Sequence, residues 1–188
     1  MKILGISGSP RKAGNTEILL RETLRAAENM DCTTVVFCMS EKNVAPCRAC
    51  GGCFKSGACV VEDDMKELAS LMASAEAIIW ATPVYFGYAS AQLKAVMDRT
   101  FAELQKKSLK GKTAGVLTVT RRVGAVQTRS LLYSFCIAHG MIVAGGATGY
   151  GREPGDVLTG AGGGINMTAM DEARLLGENV VNLTRRLN

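Results

Sequence analysis

The chain has 188 residues, 47% hydrophobic and 21% charged, with a formal net charge of +5. This length and composition exclude a disordered chain and predict one domain over 1–188 whose core is large enough to fold without disulfides. No run of about 18 apolar residues is present to cross a membrane, and Met1–Ile6 is too short for a secretion signal, so the expected setting is cytoplasmic.

In chain order, Lys2–Ser7 reads as a buried strand that ends in a polar loop. Thr16–Met30 reads as a helix with Leu20, Leu24 and Ala27 on one face, and Thr33–Cys38 as a second strand. A long loop at 39–61 holds a cysteine-rich insertion at about 43–61. Asp63-Asp64 opens the next helix, with Asp64 and Glu67 spaced as a capping box. Ala77–Ala81 is a third strand, followed by a helix marked by Leu93, Val96, Met97 and Phe101. Thr113–Thr120 is a fourth strand, Leu131–Cys136 marks a helix, and Met141–Ala144 is a short fifth strand. Nine of the twenty residues from Gly145 to Gly164 are glycine, and Gly162–Gly164 reads as a flexible loop. Leu176, Val180, Leu183 and Leu187 mark the closing helix.

Continuous apolar strands alternating with amphipathic helices predict a parallel sheet covered on both faces. The fold class is therefore α/β: a flavodoxin-like, doubly wound, five-stranded parallel sheet of order 2-1-3-4-5. Such sheets bind ligands beyond the carboxyl ends of their strands at the switch point. That rule selects residues 7–16, 82–88 and 120–125.

The first segment, Ser7-Gly8-Ser9-Pro10-Arg11-Lys12-Ala13-Gly14-Asn15-Thr16, joins a strand to a helix start. Unpaired amides and the helix dipole favour an anion there, and Ser9, Arg11, Asn15 and Thr16 add donors and a cation. It is not a Walker A loop: five residues separate Gly8 from Gly14, and no lysine follows. It is not the dinucleotide G-x-G-x-x-G either. A hydroxyl-rich site for a monophosphate remains, against the plainer reading of a strand-to-helix turn capped by Asn15. In the second segment Pro83, Val84, Tyr85, Phe86 and Gly87 place two aromatics where a planar ring would cross the sheet crevice, although isolated aromatics more often pack in cores. Together the two loops favour a flavin mononucleotide. From the third loop, Thr120 and Gly124 are the candidates.

Of seven cysteines, four lie within thirteen residues: Cys47-x2-Cys50-x2-Cys53-x5-Cys59. Zinc sites usually pair two ligand hooks separated by longer stretches. Successive x2 spacings instead resemble the start of bacterial ferredoxin runs and suit a compact [4Fe–4S] cluster. Zinc and unligated redox thiols remain as alternatives. Cys32, Cys38 and Cys136 sit in apolar surroundings and read as buried small hydrophobes. His139, the only histidine, reads as a helix-end residue, and Trp80 as core. The basic clusters at Lys106-Lys107, Arg121-Arg122 and Arg185-Arg186 read as solvated surface rather than a nucleic-acid face.

The loop Gly8-Ser9-Pro10-Arg11 to Asn15-Thr16, the run Thr82-Pro83-Val84-Tyr85-Phe86-Gly87, and the four cysteines followed by Asp63-Asp64-Met65 resemble one family. It is the iron–sulfur flavoprotein branch of the flavodoxin-like NAD(P)H-dependent FMN reductases. The resemblance implies that Ser9, Arg11, Asn15 and Thr16 hold the FMN phosphate, that residues 83–87 face the isoalloxazine, and that Cys47, Cys50, Cys53 and Cys59 ligate the cluster. It also implies a homo-oligomer, dimer or tetramer, with NAD(P)H as a possible donor and a ferredoxin-type or small-molecule electron partner. Thr120-Arg121-Arg122-Val123-Gly124-Ala125 departs from the branch's usual Gly-rich loop with its Gln-Glu pair. No protein side chain is assigned as a catalytic acid or base, since the cofactors carry the chemistry. A cluster-free FMN or quinone reductase is one rival reading, and a zinc-stabilised binding module is another.

Overall fold

The computed structural model describes residues 1–164 and 166–188. In chain order the elements are β1 (Lys2–Ser7), α1 (Asn15–Glu28), β2 (Thr33–Cys38), α2 (Gly52–Ser56), α3 (Met65–Ser74), β3 (Ala77–Tyr85) and β4 (Tyr88–Ala89). They continue with α4 (Ala91–Arg99), α5 (Phe101–Lys106), β5 (Thr113–Thr120), α6 (Ala125–Ala138), β6 (Ile142–Tyr150), a 3-10 turn (Asp156–Leu158) and α7 (Ala169–Leu187).

Alternation along each strand divides the core between two faces. Leu4, Ile6, Ile78 and Trp80 point to one face, where Leu68 and Met72 of α3, Leu93 and Val96 of α4 and Leu132 of α6 cover them. Ile3, Ile79 and Leu117 point to the other, under Leu19, Leu20 and Leu24 of α1 and Leu176 and Val180 of α7. Each such fully buried aliphatic side chain contributes roughly 1.5–3 kcal/mol. Trp80 is fully buried and packs edge-on against Phe135 with ring centroids 5.0 Å apart.

The expected five-stranded sheet is corrected to six strands. Five run parallel in the order β2-β1-β3-β5-β6, and β4 pairs antiparallel with β3. The extra strand arises because β3 continues to Tyr85 and turns back at Phe86 and Gly87, pairing Tyr85 with Tyr88. Both turn residues have positive φ, 52° and 80°, which matches the twist of a two-residue hairpin. Pro83 fits within β3 because β1 pairs with β3 only as far as Ala81. One side of β3 is therefore already free at that point, where proline is tolerated.

Four further expectations change. The fifth parallel strand does not stop at Ala144: β6 runs to Tyr150 through Gly145, Gly146 and Gly149. Its glycines are matched to packing, since a Cβ at Gly146 would collide with the Tyr133 hydroxyl and one at Gly149 with Leu19. The loop at 39–61 contains the short helix α2. The capping box at Asp64 and Glu67 is absent. Asp63 instead accepts from the Met65 amide at 3.1 Å, Asp64 accepts from the Asn43 amide at 2.7 Å, and Glu67 pairs with Lys42. The Gly162–Gly164 run, read as flexible, is tied down through the Glu172 carboxylate, which accepts from the amides of Gly164 and Thr148.

Candidate functional site

Two concave sites occupy different parts of the fold. The first is a cleft of about 700 Å³ at the carboxyl ends of the parallel strands, within the usual size range of small-molecule sites. The loop after β1 supplies Ser9, Arg11, Asn15 and Thr16. The end of β3 and its hairpin supply Pro83, Val84, Tyr85 and Phe86, and the end of β5 supplies Thr120. Gly87 and Gly124 do not line this cleft. They line an adjoining depression, with Phe86, Tyr88, Val123 and Gln127.

Within the first loop, the Ser9 hydroxyl accepts from the Arg11 amide at 3.1 Å, which curls the backbone before α1. Ile18 is the first residue of α1 to donate to a backbone carbonyl, that of Gly14 at 3.0 Å. The amides of Asn15, Thr16 and Glu17 precede it and are left for a ligand or water. The cap of α1 is Gly14, not Asn15. The Asn15 side chain instead bridges two segments. Its Nδ2 donates to the Glu153 carbonyl at 2.8 Å, and its Oδ1 accepts from the Gly155 amide at 2.7 Å. Asn15 thereby fastens the segment after β6 to the helix start.

That segment, Gly151-Arg152-Glu153-Pro154, lines the cleft and was missed from the sequence, whereas Arg121, Arg122 and Val123, which also line it, fall within the 120–125 loop that the strand-end rule selects. The signal was the carboxyl-end rule itself, applied to a strand read six residues too short. Arg11, Arg121, Arg122 and Arg152 surround the opening, with Glu153 the single acid among the described lining residues. This excess of positive charge around free helix-start amides fits a phosphate. Tyr85 and Phe86, exposed at the hairpin, fit one face of a flat ring.

The second site is a cavity of about 420 Å³. Cys47, Cys50, Cys53 and Cys59 all line it, together with Phe54, Phe101 and Arg99. Gly51, at φ 69°, turns the loop into α2, which carries Cys53. Phe54 of α2 packs edge-on against Phe101 of α5 at 5.3 Å. Among the described residues no three His, Cys, Asp or Glu side chains converge on an ion-sized point. Beneath the loop the buried Arg99 and Asp63 pair at 2.9 Å. Burial opposes the charged form of Asp63, but the Arg99 guanidinium and the amides of Ala45 and Met65 outweigh it and hold the carboxyl below its ordinary value.

The remaining cysteines differ. Cys32, Cys38 and Cys136 are buried. Burial pushes the Cys38 thiol up to about 11 and the Cys136 thiol up to about 12, which keeps both protonated. His139 caps the end of α6, with its Nε2 3.0 Å from the Thr100 hydroxyl. Burial lowers its pKa, against the opposing pull of Glu103.

The doubly wound sheet and a strand-end cleft suited to a phosphate and a planar ring define a protein of the flavodoxin-like class. Solved structures share this architecture. One is RosB with bound 8-demethyl-8-formylriboflavin-5'-phosphate, with a TM-score of 0.74 and 17% identity over 100% of this chain and 80% of that one. Another is an NADH:FMN oxidoreductase, with a TM-score of 0.66 and 20% identity over 100% and 90%. Residues 1–152 match the NADPH-dependent FMN reductase family, and the chain belongs to that family. Within it the chain falls in the iron–sulfur flavoprotein branch. It is 36% identical to an iron-sulfur flavoprotein of Methanocaldococcus jannaschii over 98% of both chains. It is 41% identical to one of Methanosarcina thermophila over 80% of this chain and 81% of that one. A shorter match, 38% over 39% of this chain and 37% of that one, is to an NAD(P)H dehydrogenase (quinone) of Geobacter sulfurreducens. The protein is an FMN-dependent oxidoreductase. No helix among the described residues is long and apolar enough to cross a membrane.

Proposed function

We propose that this oxidoreductase moves electrons between FMN in the strand-end cleft and a [4Fe–4S] cluster in the cysteine cavity. When bound, FMN accepts electrons in pairs and releases them singly, and the cluster carries one at a time. The observation that carries the cluster reading is that Cys47, Cys50, Cys53 and Cys59, and no other cysteine, line a single cavity. In the cleft, the amides of Asn15, Thr16 and Glu17, the Thr16 hydroxyl and Arg11 hold the phosphate. Ser9 shapes the loop that presents them. Tyr85 and Phe86 cover the ring, Pro83 and Val84 present backbone to it, and Thr120 closes the side formed by β5. Gly87 and Gly124, packed against each other with Gly124 at φ 94°, hold the hairpin against the start of α6. Asn15 acts through its side chain by fixing the wall at 151–154.

In this reading the donor is NAD(P)H and the acceptor a ferredoxin-type or small-molecule partner. The protein works as a homo-oligomer, dimer or tetramer, in the cytoplasm. The partial likeness to a quinone-reducing dehydrogenase supports a second reading, an FMN-only reductase in which the cysteine loop is a lid or thiol site. The anaerobic visible spectrum with iron and sulfide analysis separates them. A flavin band near ~450 nm with a broad ~400 nm shoulder and about four irons per flavin supports the cluster. A flavin band without iron supports the second reading, and a colourless protein containing zinc would refute both.

A further inference from the structure

Arg99, the last residue of α4, is 3% exposed, and each of its five N–H donors has an acceptor. Nε donates to Cys59 Sγ at 3.0 Å. One terminal nitrogen donates to the Ala45 carbonyl and to Asp63 Oδ2, both at 2.9 Å. The other donates to the Val61 carbonyl at 3.3 Å and to Asp63 Oδ1 at 3.0 Å. Ala45 precedes the four cysteines and Val61 follows them, so one guanidinium joins both ends of the loop and touches one of its sulfurs. A lysine has no planar fork and could not make this set. A buried ion pair is not needed merely to stabilise a fold, since apolar residues of similar volume often serve as well or better.

We infer that Arg99 is a positioning residue for the cluster: it closes the cysteine loop and places a positive N–H donor on the Cys59 sulfur, which makes the cluster easier to reduce. Asp63, on the far edge of the same guanidinium, opposes that charge. The inference rests on the cluster reading above. Hydrogen bonds to ligating sulfurs and the surrounding charge are the protein's levers on cluster potential, because reduction adds negative charge there. The two halves of the pair therefore have opposite signs. Removing the cation disfavours the reduced cluster, and removing the anion favours it. A purely structural clamp would not produce that opposition.

The test is an anaerobic titration of the reconstituted holoprotein with dithionite. Dithionite supplies one electron per cluster and no proton is taken up, and the reduced cluster is followed by electron paramagnetic resonance. Arg99→Gln is expected to lower the equilibrium constant for reduction roughly tenfold, about 59 mV, and Asp63→Asn to raise it. Arg99→Lys, with the charge but not the fork, falls between Arg99→Gln and wild type. An iron-loaded wild type whose potential is unmoved by these changes, or moves the same way in Arg99→Gln and Asp63→Asn, overturns the inference while leaving the cluster in place. Should Arg99→Gln fail to hold iron, Arg99→Lys and Asp63→Asn decide by the same signs. A wild type that takes up no iron refutes the cluster reading and the effect on potential with it. Amide exchange over 45–61 in iron-free protein then judges the clamp: faster exchange in Arg99→Gln supports it, and unchanged exchange overturns it.

Discussion

The strand-end cleft draws its walls from segments after four strands, β1, β3, β5 and β6, whereas the cysteine cavity takes its four thiols from one stretch of thirteen residues. In the cleft the recognition groups are largely backbone, fixed by a sheet whose core is buried on both faces. In the cavity they are side chains on a loop whose two ends meet on one buried guanidinium, alongside amide bonds from Asn43 to Asp64 and from Ala45 to Asp63. A site spread over a sheet tolerates the loss of one side chain. A loop whose buried link is one ion pair depends on that pair more heavily.

The largest effect should therefore come from Arg99. Arg99→Met leaves the Asp63 carboxylate buried without its partner, which costs about 3–5 kcal/mol. Urea denaturation of the single variant should show that loss, and the double variant Arg99→Met, Asp63→Leu should recover most of it. Equal stability of Arg99→Met and wild type would remove the contrast between the two sites. The cleft should respond less sharply. Arg11→Ala with Thr16→Val removes one charge-assisted and one ordinary donor, about 1.5–3 kcal/mol for the former alone. FMN affinity by fluorescence titration should fall roughly ten- to a hundredfold, with the iron content unchanged. An unaltered affinity would place the phosphate elsewhere.

A smaller effect is expected from Arg121 and Arg122, both exposed at the cleft. Neutralising both should lower the flavin midpoint potential, by no more than about 30 mV for the two-electron couple, because a reduced anionic flavin loses nearby positive charge. A potential that rises or stays fixed would show that the two side chains point their charge to solvent. The smallest effect belongs to His139. Its folded pKa lies below its ordinary value because burial disfavours the imidazolium. Below about pH 6.5 the unfolded chain takes up a proton that the folded chain resists. Stability should therefore be full above that pH and decline as pH falls toward the folded value. His139→Gln should flatten this part of the pH–stability curve, and an identical slope in the variant would assign it to other groups.

The sequence made the parallel strands, their flanking helices and the loops at 7–16 and 82–88 legible because apolar periodicity and the strand-end rule act locally. It also pointed to the three buried cysteines: Cys38 and Cys136 lie in largely apolar stretches, and Cys32 stands just before the second strand. It did not show that β6 continues through Gly145, Gly146 and Gly149. Glycine in a strand reads as a break until the opposing residues, Tyr133 and Leu19, are seen filling its space. Ending that strand early hid the 151–154 wall of the cleft. Arg99 was invisible for a different reason. Nothing near it in the sequence marks it, and its meaning comes from partners at positions 45, 59, 61 and 63 that only the fold brings to it.

The most direct measurement is iron per flavin after anaerobic reconstitution, taken across Ala variants of all seven cysteines. Cys47, Cys50, Cys53 and Cys59 should behave as one unit, each single replacement losing or destabilising the iron centre, because each iron of a cubane needs a thiolate. Cys32→Ala, Cys38→Ala and Cys136→Ala should keep wild-type iron, and FMN should stay bound in all seven. Iron loss that follows the buried cysteines as strongly as the four in the loop, or a reconstituted wild type without iron, would contradict it.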